Sequence, residues 1–371
     1  MESFVPKNQM LDSISIEALR PLGLNLALLP QLRPLDWSGG STLWRITEVQ
    51  RDRLELLGSA GLACAARARP ALLQALHADG QSLAVGDWVL AQHGAPGECW
   101  VQQRVPPLNG LSRRDPEGRR QALVSNVDLA LLVMGLDHDF KLARLDRYLV
   151  LMRAAGVPAL VLLSKADLCP DVAGRVAELR AHLAHSQAAV LDVLAVDGTD
   201  GARTRAALAP WLGLGQTLVL LGSSGAGKST LTNALCEAPL QDTGGVRLDD
   251  SRGRHTTTAR SLHRTRGGAC IIDTPGLRGL QLDASVAEVS AAFDDVGALA
   301  QACRYRNCRH GDEPGCAVRE RLSPARLKSY QKLQREALRE QMTHQDRREL
   351  LASWKARGRQ AAASLKAKRG E

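Results

Sequence analysis

The stretch Thr217-Leu-Val-Leu-Leu-Gly-Ser-Ser-Gly-Ala-Gly-Lys-Ser-Thr230 decides how the rest of the chain is read. An apolar run of strand character ends at Gly222. Gly222, Gly227, Lys228 and Ser229 then complete the pattern G-x-x-x-x-G-K-[ST], a phosphate-binding P-loop. Glycine at these positions lets the backbone N–H groups of Ser223, Ser224, Gly225 and Ala226 curl around phosphate oxygens without Cβ clashes. Lys228 would reach the β- and γ-phosphates, and the Ser229 hydroxyl would sit on Mg²⁺. From Thr230 the pattern continues at helical spacing through Leu231, Ala234 and Leu235, which adds the positive end of a helix dipole. Strand, loop and helix together predict a nucleotide phosphate site in an α/β domain.

The chain has 371 residues, enough for two or three domains, and its 44% hydrophobic and 23% charged content is that of a globular protein. No apolar run approaches the 18 or so residues of a membrane span, and the first ten residues lack the basic-then-apolar pattern of an export signal. A cytoplasmic protein with no membrane association is expected. Eight irregularly spaced cysteines fit a reducing compartment better than a disulfide framework. Charge placement is more informative than its total. Arg326 to Glu371 carries 13 Lys/Arg against 5 Asp/Glu, so eight of the nine net positive charges lie in the tail. Such a tail is either a solvated helix or a surface for a polyanion such as RNA.

Residues 1–38 are leucine-rich but broken by Pro21, Pro30 and Pro34, and read as a helix near 13–20 followed by a tethered arm. Residues 39–108 change to short alternating strands separated by turns, among them Thr42–Val49, Asp52–Leu57, Val85–Leu90 and Cys99–Gln102. About five strands in this length fit a small β-barrel, either an OB-fold that binds oligonucleotides or a barrel used only for packing. The basic, polar segment 109–120 reads as a linker or surface loop. Short apolar runs at Asp128–Met134, Val157–Leu163, Val190–Val196, Thr217–Leu221 and Ala269–Ile272 alternate with helical patterns and predict a parallel sheet.

Ser164-Lys165-Ala166-Asp167 follows the second of these runs. It matches the short [NT]-K-x-D segment that reads guanine in GTPases, apart from Ser164. The Asp167 carboxylate would accept from N1–H and the exocyclic amine of guanine and repel the N1 acceptor of adenine, while the Lys165 stem packs along the purine. Ser164, in place of Asn or Thr, leaves open how firmly this segment is tied to the P-loop. Downstream of the P-loop come Gly253-Arg-His-Thr-Thr-Thr258 and, after another apolar run, Asp273-Thr-Pro-Gly276. Asp273 would hold Mg²⁺ through water, the Gly276 N–H would sense the γ-phosphate, and a threonine of 256–258, Thr257 being chosen, would complete the metal shell. In an ordinary GTPase the base reader follows the P-loop. Here it precedes it, so the order of motifs is circularly permuted.

Further on, Cys303-x4-Cys308-x-His310-x5-Cys316 offers three thiolates and an imidazole, a closed tetrahedral set suited to one structural Zn²⁺. Arg304, Arg306 and Arg309 surround it and would meet RNA phosphates. Cys64, Cys99, Cys169, Cys236 and Cys270 show no partner pattern and read as small core residues.

From about residue 40 to 335 these motifs closely resemble the RsgA (YjeQ) family of circularly permuted, small-ribosomal-subunit biogenesis GTPases. The resemblance implies an N-terminal OB-fold and the same zinc pattern. It also implies 30S-subunit and 16S rRNA partners, and hydrolysis of GTP to GDP and phosphate during late small-subunit maturation. The expected organisation is an arm (1–38), an OB-fold RNA-binding domain (39–108), a permuted GTPase domain (109–290), a mostly helical zinc-binding domain (291–340) and a basic tail (341–371), in a monomer. The position that holds a water-orienting Gln in Ras-type proteins is Leu277, which predicts slow unaided hydrolysis stimulated by the 30S subunit. His255, with Lys228, is the catalytic candidate that the resemblance points to. The competing readings are an RNA-binding module whose nucleotide site does not turn over, and a P-loop ATPase.

Overall fold

Five strands of mixed burial curl into a barrel: β1 (Thr42–Gln50), β2 (Arg53–Leu57), β3 (Ala63–Ala68), β4 (Trp88–His93) and β5 (Cys99–Arg104). They close in the order 1-2-3-5-4-1, with β3 and β5 parallel and the other pairs antiparallel. Helix α1 (Pro70–Ala78) joins β3 to β4. This is the OB-fold topology, and closure removes the exposed strand edges. Ile46, Leu54, Leu56, Val89 and Val101 fill the interior. The structure, a computed structural model, describes residues 16–51, 53–95, 97–114, 120–184, 186, 188, 191–236, 260–275 and 283–341. It divides into two units, Met1–Gln281 and Leu282–Glu371.

The described part of the expected arm is built into the core. Leu19, Leu22, Leu24, Leu28, Leu32, Leu35 and Trp37 are buried with Leu43, Trp88 and Leu90 of the barrel. Short helical turns at Ile16–Leu19 and Leu29–Leu32, alternating with tighter 3₁₀ turns, bring these leucines to one side without a regular period. Arg45, fully buried, pins the segment: its guanidinium donates to the carbonyls of Leu22 and Asn126 and lies 5.2 Å from the Trp88 ring. Gly23 (φ +85°) passes so close that a Cβ there would lie 2.0 Å from the Arg45 guanidinium and 2.4 Å from the Thr217 hydroxyl.

The segment expected as a linker or surface loop contributes to a hairpin, β6 (Gly110–Arg114) with β7 (Arg120–Ser125). Leu111, Leu123 and Val124 are buried. The arginines between them mask this alternation in the sequence.

β8 (Leu129–Gly135), β9 (Ala159–Ser164), β10 (Val193–Ala195), β11 (Thr217–Leu221) and β13 (Cys270–Asp273) form a parallel sheet in the order 10-9-8-11-13, and β12 (Ser261–Arg264) adds antiparallel to β13. Every residue of β8 and β11 is buried, as expected of strands covered on both faces. Leu131, Leu162, Leu218, Leu220 and Ile271 pack with Leu208, Leu231 and Leu235 from helices on one face. Each such leucine contributes about 2 kcal/mol of burial. The central strand β11 has the earlier strands β8–β10 on one side and the later β12 and β13 on the other. A chain entering at β11 and finishing with β8–β10 would trace the same sheet, which is the structural content of the permutation. Glu48 of β1 pairs with Ser261 of β12, so barrel and sheet form one continuous eleven-stranded sheet.

In the second unit, α6 (Val286–Ala292), α7 (Asp294–Ala300), α8 (Ala317–Arg321) and α9 (Pro324–Gln341) follow those of the sheet region: α2 (Leu142–Ala155), α3 (Val172–Leu183), α4 (Gly201–Leu208) and α5 (Lys228–Leu235). Ser285 and Glu288 form a capping box at the start of α6. Arg326, 1% exposed, donates to Asp295 at 2.7 Å and covers the Phe293 ring at 4.4 Å. α6 packs on α9, and the second unit, which runs from Leu282, includes the whole of α6.

Candidate nucleotide and metal sites

The P-loop leaves the C-terminal end of β11, where open parallel sheets place their ligands. Gly222 runs against β8, where a Cβ would meet the Val133 carbonyl oxygen at 2.5 Å. Gly225 and Gly227 take φ of +80° and +86°, and Gly227 caps α5. Ser223 and Ala226 are buried, Ser224, Gly227, Ser229 and Thr230 are half-buried, and Gly225 is exposed. The Lys228 ammonium, 6% exposed, donates to the carbonyls of Gly222 (3.1 Å) and Ser223 (2.8 Å). Burial pushes its pKa down, while the carboxylates of Asp273 and Asp139 oppose that shift. Asp273, 1% exposed, ends β13 beside β11, in register with Leu220. The adjacent Thr274 hydroxyl donates to the Leu220 carbonyl at 2.6 Å, which joins the two strand ends.

Ser164 resolves the question it raised. At the end of β9 its buried hydroxyl donates to the Ala226 carbonyl at 2.6 Å, tying the Ser164–Asp167 segment directly to the P-loop. Lys165 adopts a left-handed φ of +59° and forms an ion pair with Asp137 at 2.6 Å. Burial pushes the Asp137 carboxyl up, but Lys165 and the Asp139 N–H outweigh it and hold it below the usual range. Ala166, half-buried, begins a 3₁₀ turn that carries Asp167 exposed at a cavity of about 410 Å³, which is also lined by Val196, Asp197 and Arg203. Ser164→Ala leaves the Ala226 carbonyl without this donor, a cost of about 1–3 kcal/mol. GTP affinity, measured by equilibrium titration, should fall about tenfold if most of that cost reaches the loop.

Asp139 was not singled out by sequence reading. It accepts from the Ser223 hydroxyl at 2.5 Å and from the Gly135 N–H at 3.4 Å, and it pairs with Arg144. It therefore braces the P-loop from the end of β8. The available signal was its position, since Asp137-His-Asp139 comes one residue, Leu136, after a fully buried strand. His255, Thr257 and Gly276, the three remaining residues assigned from sequence, lie outside the described residues, as does Leu277.

Cys303, Cys308, His310 and Cys316 place one donor atom each within 4.8 Å of one another. Cys303 Sγ lies 4.0 Å from Cys316 Sγ, and His310 Nδ1 lies 3.8 Å and 3.5 Å from these sulfurs. A tetrahedral zinc with Zn–S about 2.3 Å and Zn–N about 2.0 Å sets S···S near about 3.8 Å and S···N near about 3.5 Å, so the donor set fits that ion. The left-handed conformations of His310 (φ +57°) and Gly315 (φ +71°) fold the loop back. Gln331 on α9 donates to the His310 carbonyl at 3.1 Å and holds the knuckle on that helix. Arg304, Arg306 and Arg309 are exposed around it. Chelation of the full chain under reductant should cut amide-exchange protection in 303–322 by at least about a hundredfold while β11 keeps its protection, because structural zinc carries folding free energy of about 10 kcal/mol or more.

Comparison with known proteins places these sites in context. The family model described as RsgA GTPase matches residues 105–283. Small ribosomal subunit biogenesis GTPase RsgA 2 of Vibrio vulnificus is 41% identical over 269 residues, 71% of this chain and 74% of that protein. Small ribosomal subunit biogenesis GTPase RsgA of Xylella fastidiosa is 47% identical over 260 residues, 68% and 73% of the two chains. The fold is shared with YjeQ from Thermotoga maritima (TM-score 0.57, 22% identity, 80% of this chain and 99% of that one). It is also shared with YloQ, a circularly permuted GTPase (TM-score 0.54, 22% identity, 82% and 97%).

Proposed function

This chain belongs to the RsgA GTPase family, and on that premise we propose that it binds the 30S ribosomal subunit through 16S rRNA and uses its GTP state to set when it stays and when it leaves. The observation that carries the reading is the joint at the C-terminal ends of the strands, where the Ser164–Ala226 hydrogen bond brings the Ser164–Asp167 segment against the P-loop. Asp167 selects guanine. The N–H groups of Ser223 to Lys228 and the Lys228 ammonium hold the phosphates, and Ser229, Thr257 and Asp273 hold Mg²⁺. When bound, that ion neutralises charge on the β- and γ-phosphate oxygens. Asp139 fixes Ser223 and thereby the curvature of the loop. Leu277 cannot orient water, so His255 takes that role, in one geometry that rRNA stabilises.

The OB barrel and the basic surfaces of the zinc unit, including Arg304, Arg306 and Arg309, supply contacts to RNA phosphates. One Zn²⁺ holds the C-terminal knuckle. The protein acts as a monomer in the cytoplasm, and no helix among the described residues is long and apolar enough to cross a membrane. GTP fixes both RNA-facing modules in one geometry on the 30S subunit, and hydrolysis releases them.

Single-turnover hydrolysis with and without 30S subunits tests the reading: the rate should rise at least about tenfold with subunits. An unchanged rate would favour a nucleotide site that serves only RNA binding, and equal competition by ATP would favour an ATPase. His255→Ala should lower the stimulated rate about a hundredfold at unchanged GTP affinity. Near-normal stimulated turnover in that variant would remove His255 from the mechanism.

A further inference from the structure

One rim of the barrel collects three ligand-type side chains from three strand ends: Cys64 at the start of β3, His93 at the end of β4 and Cys99 at the start of β5. Two thiols and an imidazole offer donor atoms that all lie within 4.8 Å of one another. Cys64 is distant in sequence from His93 and Cys99, which is why Cys64 and Cys99 read there as separate core cysteines. Register explains the meeting, because His93 pairs directly with Cys99 across the antiparallel β4–β5 ladder and β3 runs beside β5. Burial grades across the set: Cys99 is buried, Cys64 is half-buried and His93 is exposed. The His93 ring is held edge-on to Trp44 at 5.5 Å between centroids, so its orientation is constrained on one side. Cys99 also lines a cavity of about 320 Å³ next to the small Ala65 and Ala66, with Arg53, Arg67 and Glu98 on its wall.

We propose that Cys64, His93 and Cys99 form a second metal site, separate from the C-terminal knuckle, that takes one thiophilic d¹⁰ cation, Zn²⁺ or Cu⁺. The donor chemistry selects this class, since two thiolates and an imidazole disfavour the hard cations Mg²⁺ and Ca²⁺. Metal–sulfur bonds of about 2.3 Å require sulfur–sulfur separations near about 4 Å in either trigonal or tetrahedral geometry, which is compatible with donor atoms all within 4.8 Å of one another. The set supplies three protein ligands, so Zn²⁺ would keep an open fourth position whereas Cu⁺ would be satisfied with three. Binding displaces the protons of both thiols to solvent and changes no oxidation state. The site staples the ends of β3, β4 and β5 at the rim where the barrel closes, and it is weaker and more exchangeable than the four-ligand knuckle.

The test uses the full chain, demetallated by chelation under a non-coordinating phosphine reductant. It is titrated separately with Zn²⁺ and Cu⁺ against a chromophoric competitor, and with Co²⁺ to read thiolate-to-metal charge transfer. Wild type should take two equivalents of Zn²⁺ or Cu⁺, the second at least about tenfold weaker than the first for Zn²⁺, because it has one ligand fewer. His93→Ala, an exposed position chosen because it leaves the barrel core intact, should weaken the second equivalent at least tenfold and leave the first unchanged. Cys99→Ser should abolish the second equivalent and its share of the cobalt–thiolate band. GTP hydrolysis should be unaffected in His93→Ala. A single equivalent in wild type with both cations, or two equivalents that His93→Ala and Cys99→Ser leave unchanged, overturns the proposal.

Discussion

Asp167→Asn should weaken GTP binding by about two to three orders of magnitude and bring XTP to at least equal affinity. The carboxylate offers two acceptors to N1–H and the exocyclic amine of guanine, and hydrogen bonds to a charged group are worth about 1.5–3 kcal/mol each. The amide replaces one acceptor with a donor that confronts a donor, while xanthine, with a carbonyl where guanine has its amine, restores the match. Asp167 is exposed on a 3₁₀ turn, and Ser164, not Asp167, holds the segment to the P-loop, so the exchange should leave the fold intact. Competition titration with GTP, XTP and ATP checks the result. Retention of GTP preference in the variant would assign base selection to other groups.

The second large effect is on the phosphates. Lys228→Ala should lower 30S-stimulated hydrolysis by at least about a thousandfold, in line with the loss of several kcal/mol when a preorganised charge is removed from a water-poor site. Two contributions are mixed in that variant, because the Lys228 ammonium also holds the loop by donating to Gly222 and Ser223. Lys228→Gln separates them. It retains a donor for the loop carbonyls but carries no charge, so a loss as large as that of Lys228→Ala identifies charge as the cause. Recovery to within a few fold of wild type would instead make the residue a loop clamp. Single-turnover assays at saturating nucleotide read both variants.

How much of this was legible in the sequence depended on whether the determinants are local. The strand β11, the loop and α5 are contiguous, so apolar run, glycines and helical spacing sufficed to place them. The motif order, read against the usual one, anticipated a circular permutation, and the comparisons bear out the permuted GTPase fold. The OB barrel was left open by pattern alone, because alternation reports strands but not closure. It took the β3–β5 and β1–β4 pairings to decide it.

What sequence reading missed is long-range or aperiodic. Leu19 to Trp37 enter the core through short turns with no single period, so a packed segment resembled an arm. β12 has only four residues, Ser261-Leu-His-Arg264, too few and too polar to stand out before its pairing with β13 is seen. Asp139 gains meaning only from Ser223, far along the chain, and the Cys64, His93 and Cys99 group only from strand register. Ser164 is the instructive intermediate case. Its departure from Asn or Thr was visible, but that its hydroxyl reaches the Ala226 carbonyl needed the backbone geometry.

The central claim is that nucleotide state sets affinity for the small subunit. The most direct measurement is equilibrium binding of the full chain to purified 30S subunits with a non-hydrolysable GTP analogue and with GDP, at one fixed salt concentration because phosphate contacts are salt-sensitive. The account predicts binding at least about tenfold tighter with the analogue, since a ligand shifts a two-state equilibrium only by its differential affinity. Equal affinity in the two nucleotide states would contradict it.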